Sequence, residues 1–361
     1  MARGDTGSGL LEGLRVLDLS LWQPGHVATQ LLADLGADVV KVEPPGGDRM
    51  RPQGGPFVNF NGRKRSMVVD LKSADDRARL LALVADAEVV VEGFRPGVAD
   101  RLGVGFDALR AVNPAIVLCS ITGFGQTGPL ANVAGHDHNY QAYAGAFTCP
   151  EHEAPMPAGL LVGDQGGGLA AAFGILAAVL CARRTGEGDH IDFAITDLLA
   201  SWVAPNGPID PRYSTSVSAG LLPAMGVFRT ADGRHVELGI YSEDKLWDEL
   251  VAALGLPALA GIDMPGRAAD AESLRGRIAA AIAVQTRDEL VAHLTPYGVP
   301  IAPVLSRDEM MEHPNFRERG VITTGPDGYR AVGHPLRFAV HPALPPGRPP
   351  ELNEHPDARF G

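Results

Sequence analysis

Residues 15–44 read RVLDLSLWQPGHVATQLLADLGADVVKVEP, and the way this stretch divides decides the fold. RVLDLS (15–20) and DVVKVEP (38–44) are short β-type runs, and HVATQLLADLG (26–36) between them spaces its apolar residues as a helix does. The strands are nearly continuous in apolar residues and lack the alternation of a strand with one wet face. Strands of that kind are covered on both sides, as in a parallel sheet with helices on each face. The pattern then returns. MVVDL (67–71), the helix SADDRARLLALVADA (73–87) and EVVVEGF (88–94) repeat it, and AIVLCSITGFG (115–125) adds a strand. The reading is an α/β fold with a Rossmann-like, doubly wound parallel sheet. No GxGxxG follows the first strand, where Gln23-Pro24-Gly25 stands instead, so a nicotinamide dinucleotide is disfavoured.

Further along, GDHIDFAITDLLASWVA (188–204) reads as a strand running into a helix, and the Pro-, Gly- and Ser-rich segment that follows reads as a linker. GVFRTADGRHVELGI (226–240) predicts a hairpin turning at Ala231-Asp232-Gly233, because Asp-Gly supports the positive φ of such turns. Three helical segments follow, SEDKLWDELVAALG (242–255), AESLRGRIAAAIAVQ (271–285) and TRDELVAHLTPYG (286–298). IAPVLSRDEMMEHPNFRERG (301–320) and the Pro-rich tail read as a return toward the first domain. The expected division is a large Rossmann-like domain over 1–204, a linker over 205–224, a small α+β domain over 225–320, and a return to the large domain over 321–361.

Composition narrows the function. The chain has 361 residues, 45% apolar and 20% charged, with a net charge of -12. An acidic surface argues against nucleic acid, which needs a basic one, but a few local arginines suffice for a single nucleotide-bearing ligand. Cys119, Cys149 and Cys181 have no metal-ligand or CxxC spacing, and an odd count points to reduced thiols and a cytoplasmic setting. GLAAAFGILAAVLCA (168–182) is too short and too rich in Gly and Ala for a membrane span, so a buried helix is expected there. MARGDTGSG (1–9) is short and polar, unlike a secretory signal.

The chemistry concentrates between Ala134 and Gly168. His136 opens a candidate helix, HDHNYQAYAGAF (136–147), and Asp164 in GDQGGG (163–168) stands before the apolar segment LAAAFGILAAVLCARR (169–184). Helix starts expose unpaired N–H groups and a partial positive charge. An imidazole and a carboxylate beside two such ends can move protons while backbone donors hold an enolate oxygen. The bland alternative makes Asp164 an N-cap and His136 a core residue. Arg95, in GFRPG after the strand EVVVEGF, lies where doubly wound folds place their ligand crevice, and its planar fork suits a phosphate. Arg101 is nearby, Lys41 leaves the strand DVVKVEP, and Lys72 completes the set of candidate cations. No role is expected for His26, His138 or His152.

LEGLRVLDLS (11–20), LLADLGADVVKVEPP (31–45), DLKS (70–73), VEGFRPGVADRLGVG (91–105) and ITGFGQTGP (121–129) resemble the family III CoA transferases. Within that family AGHDHNY (134–140) and LVGDQGGG (161–168) are similar to the branch that contains α-methylacyl-CoA racemase. The resemblance implies a large CoA-binding domain shared by both chain ends, a small domain between them, and an interlocked homodimer. It implies that His136 and Asp164 are the acid–base pair, that the N–H of Asp137 donates to the thioester oxygen, and that Glu243 orients the imidazole. Tyr140 lies one helical turn from His136 and could reach the same cavity. Lys41, Lys72, Arg95 and Arg101 would bind the CoA moiety, which enters as part of an acyl-CoA substrate with no other cofactor and no metal.

The chain departs from the racemase branch in three places. Leu160 stands where that branch has asparagine, LLPAMGVF (221–228) replaces a GGAPFY-like segment, and CPEHEAPMPAGLL (149–161) differs throughout. The leading reading is a 2-methylacyl-CoA racemase or epimerase working by two-base proton transfer. The alternative is a CoA transferase in which Asp164 attacks the thioester and carries CoA as an aspartyl thioester. Histidine at 136, and the absence of a GGGG run near Leu221, favour the racemase. A non-catalytic acyl-CoA binding protein would need neither His136 nor Asp164.

Overall fold

The computed structural model describes residues 9–148, 154–206, 222–325 and 328–361. Cys149, His152 and most of the expected linker lie outside them. The described residues of Met1–Tyr213 with Asn315–Gly361 form one compact unit, and those of Ser214–Pro314 a second.

In the first unit, β1 (Arg15–Asp18), α1 (Gln23–Asp34), β2 (Asp38–Glu43), α2 (Gly55–Phe60), β3 (Arg65–Val68) and α3 (Ala74–Val84) make the first half of the sheet. The second half comprises β4 (Val89–Glu92), α4 (Val98–Arg101), α5 (Phe106–Val112), β5 (Val117–Thr122), α6 (Asp137–Tyr143), α7 (Val162–Thr185), β6 (His190–Ala194) and α8 (Ile195–Val203). The six strands are all parallel and lie in the order β3-β2-β1-β4-β5-β6. That order reverses between β1 and β4, and a ligand crevice is expected beyond their carboxyl ends.

Successive residues of the central strands face opposite sides of the sheet, and both sides are apolar. Val16, Val39, Val89, Val91 and Val117 join a core with Ala28 and Leu32 of α1 and Ala171 and Ile175 of α7. Their neighbours Leu17, Val40, Val90 and Leu118 join another with Leu80 and Leu83 of α3 and Leu109 of α5. Two layers of helix therefore flank one sheet.

The glycines of 163–168 do not form a loop. They lie inside the first turns of α7, which begins at Val162 with Leu161 as N-cap, so Asp164 is a first-turn residue and not a cap. Packing explains the exception to helix propensity. A Cβ on Gly168 would stand 2.5 Å from Val27 Cβ and 2.8 Å from the Pro24 carbonyl oxygen, so only glycine lets α7 approach α1 this closely. Nor is α7 buried all round. Ala171, Ala172, Ile175, Val179 and Ala182 pack inward, while Leu169, Phe173 and Leu180 are 56%, 76% and 69% exposed. Its 24 residues are long and apolar enough to cross a membrane, but its small-residue face is part of a protein core.

The second unit holds an antiparallel sheet of β7 (Met225–Arg229), β8 (His235–Gly239) and β9 (Ile301–Pro303). Gly233 takes φ +76 in the β7–β8 turn. With them come α9 (Asp244–Ala253), α10 (Met264–Ala269), α11 (Ala271–Ile282), α12 (Arg287–Leu294) and α13 (Arg307–Glu312). Trp247, Leu250, Leu274, Ile278, Leu290 and Leu294 pack with Phe228, Val236 and Leu238 into this unit's core. Ile301–Pro303 therefore belongs to the small sheet and not to a returning segment, its register with β8 supplying the reason.

The return begins with α14 (Pro314–Glu318), followed by the antiparallel pair β10 (Ile322–Thr324) and β11 (Arg330–Val332). The C-terminal segment then runs along β3. Val68 N–H donates to Asn353 Oδ1 (2.8 Å) and His355 N–H to the Ser66 carbonyl (2.8 Å), which covers an edge strand that would otherwise expose its ladder groups.

Candidate active site

A cavity of about 1010 Å³ opens at the switch point. Its wall takes Ser20–Gly25 from the turn after β1, Gly93–Pro96 from the turn after β4, and Ile121–Phe124 from the end of β5. It continues through Gly135–Tyr140, Leu161, Asp164 and Ile195.

Asp164 reaches this wall from the first turn of α7, tied down through its backbone: its N–H donates to Asp137 Oδ1 at 2.8 Å. Burial, and next the adjacent Asp137 carboxylate, push its carboxyl up to about 7. Both effects outweigh the helix dipole, which at this end favours the anion. Asp137 is 2% exposed and its other oxygen accepts from the Gln141 amide. Its side chain is thus a clasp between α6 and α7, and the residue is part of the cavity wall.

His136 is the N-cap of α6, exposed on the same wall, with its N–H donated to Asn139 Oδ1 at 3.0 Å and its ring edge-on to Trp22 at 5.7 Å. Tyr140 packs its ring edge-on to Phe124 (5.3 Å) and donates its hydroxyl to the Gly135 carbonyl, fixing the approach to His136. Burial, then Asp164 and Asp137, push that hydroxyl up to about 12, so it stays protonated.

Of the four expected CoA cations only Arg95 lines the cavity. Lys41 is a correction. Its side chain is fully buried, and its three protons go to the Ser20 carbonyl (2.9 Å), His26 Nε2 (2.9 Å) and Asp48 Oδ2 (2.7 Å), leaving none for a phosphate. The network continues through Asp18 and Lys64 (2.9 Å). Burial opposes the charge on Asp18, yet Lys41 and Lys64 hold its carboxyl far below the ordinary range, while burial and Lys41 push His26 down to about 4. Lys72, after β3, and Arg101, in α4, are exposed and absent from the wall. Arg49, exposed on the wall beside Met50 and Gln53, is a cation the sequence reading missed. Its one signal was its place after the second strand. Glu243 belongs to the second unit, where it is the N-cap of α9 and accepts the Tyr241 N–H at 2.9 Å. Among the described residues no group of three or more His, Cys, Asp or Glu is placed to hold a metal ion.

At the switch point of a doubly wound sheet, the cavity wall thus carries two arginines and a shielded carboxyl. Residues 11–356 match CoA-transferase family III, and the chain belongs to that family. It is 36% identical to succinyl-CoA:mesaconate CoA-transferase of Haloarcula hispanica, covering 96% of this chain and 94% of that one. It is 32% identical to human alpha-methylacyl-CoA racemase, covering 96% and 91%. Further relatives, 31–35% identical, also carry CoA-transferase names. Among solved structures, a CAIB/BAIF family protein from Brucella suis superposes with a TM-score of 0.85 at 31% identity, covering 97% and 98%.

Proposed function

We propose that the protein moves coenzyme A from an acyl-CoA to a carboxylic acid, with Asp164 as nucleophile. The observation that carries this reading is the Asp164 carboxyl, poorly solvated on the wall of a cavity that also holds Arg49 and Arg95. The CoA-transferase names among the relatives lean the same way and displace the racemase as the first reading.

The carboxylate oxygen attacks the thioester carbon and expels CoA thiolate, leaving an acyl–aspartyl anhydride. The thiolate attacks the aspartyl carbon, releasing the donor acid and forming an aspartyl thioester. An acceptor carboxylate then reverses both steps, so no net proton, electron or metal is required. A carboxylate stripped of water is a stronger nucleophile, and preorganised donors at each tetrahedral oxygen are worth roughly 3–4 kcal/mol apiece. Arg49 and Arg95 would hold CoA phosphates by forked hydrogen bonds.

One observation favours a second reading. His136 faces the same cavity as a carboxyl at about 7, and such a pair can take a proton from one face of an α-carbon and return it to the other. Incubation with 2-methylbutanoyl-CoA and free succinate in D₂O separates the two. Transfer with an unlabelled α-carbon is expected, together with an Asp164 hydroxamate when hydroxylamine is added. Deuterium at the α-carbon without transfer would instead establish the racemase. Neither outcome, with Asp164→Ala equal to wild type, would remove both.

A further inference from the structure

We propose that Glu92 is a positioning residue for substrate binding, holding the turn that carries Arg95, with Ser120 and His190 supporting it from the neighbouring strands. The proposal rests on the reading that the cavity takes a CoA thioester.

Glu92 ends β4, the strand at the switch point, and is 2% exposed. Its carboxylate accepts the Phe94 N–H, so it pins the Gly93–Phe94–Arg95 turn from beneath. On β5, Ser120 is its register partner and hydrogen-bonds to it. The Ser120 hydroxyl also lies 2.9 Å from His190 Nε2 on β6, and the His190 ring stacks on Phe106 of α5 at 5.4 Å. The chain Glu92–Ser120–His190 thus crosses three strands, from the edge of the cavity to the surface.

A buried carboxylate is ordinarily matched by a cation. Here the titratable groups facing it are Asp100 of α4, the uncharged Cys119 thiol of β5, and His190 through Ser120; among the described residues no Lys or Arg contributes. An apolar side chain would fill this place more cheaply, unless the acceptor is wanted. An ionised acceptor holds an N–H more strongly than a neutral one. Burial, with Asp100 adding to it, pushes the Glu92 carboxyl up to about 6, so the hold is strongest above pH 6 and relaxes below it.

Free coenzyme A, titrated calorimetrically into the full-length protein, tests this. The 3′-phosphate of CoA itself titrates near pH 6, so proteins are compared at each pH. The Kd of Glu92→Gln should exceed that of wild type by about tenfold at pH 8, the worth of one charged hydrogen bond, and match it at pH 5. Glu92→Ala should weaken binding at both, with the larger part of the loss in KM and the smaller in kcat. Ser120→Ala should move in the same direction and serves if Glu92→Ala does not fold. A Glu92→Gln to wild-type ratio that is the same at pH 5 and pH 8, or a loss confined to kcat, would overturn the proposal. A wild-type protein that binds no coenzyme A would remove the functional reading and this inference together.

Discussion

Ionising Asp164 is costly in the folded chain because burial strips it of water and, next, the Asp137 carboxylate stands beside it. Its carboxyl titrates near 7 when folded and near 3.8 when unfolded. A raised carboxyl contributes stability fully present below about pH 4 and lost as pH rises through about 7. Asp164→Asn removes the charge and keeps the shape, so at pH 8 it should stabilise the protein by about 2–4 kcal/mol. At pH 4 it should do nothing, and it should lower turnover by orders of magnitude throughout. Denaturant melts at the two pH values check this; equal shifts at both would show that Asp164 ionises freely. Although the exact start of α7 was hidden, the nearness of His136 and Asp164 to helix entrances was legible from residue order alone. Burial was not. Lys41 lies within the second strand and Arg49 after it; contacts with Asp48 and His26 hold the first inward, while the second stands on the cavity wall.

Among the elements, α7 joins fold to site. Its glycines meet α1 at one end while its first turn carries Asp164, so helix packing sets where the carboxyl stands. Gly168→Ala drives a Cβ into Val27 and a backbone carbonyl, neither of which can yield cheaply, and should destabilise by about 1–3 kcal/mol. Because Pro24 lines the cavity, activity should fall with it. Gly174 is the control. Its added Cβ would meet Ile191 at 3.8 Å, an ordinary contact, so Gly174→Ala should gain about 0.5–1 kcal/mol from helix propensity. Unfolding curves that move the two variants in the same direction would refute this account of the glycine run. The β1–α1–β2 repeat was legible because its strands are apolar on both faces. The start of α7 was not, because glycine propensity speaks against helix and only contact with α1 reverses it. β9 escaped for a related reason: three residues beside prolines carry no strand signal until β8 pairs with them.

At the scale of the whole molecule, the apolar outer face of α7 asks for a cover. Leu169, Phe173 and Leu180 recur at helical spacing on one side and are all more than half exposed, an apolar row of the kind that marks an interaction face. The occupant we expect is a second copy of this chain, as the resemblance to interlocked homodimers implies, and a two-fold interface places the same patch on both sides. Threaded chains cannot part unless one opens, so dissociation should coincide with unfolding. Sedimentation velocity over a dilution series should then show a dimer at every concentration that retains activity. Phe173→Asp puts a charge in the middle of the patch, and its expected result is unfolded or aggregated protein, not a stable monomer. A variant that sediments as a folded monomer and still transfers coenzyme A would show that the chains are not interlocked, and that the α7 face is merely a patch that water tolerates.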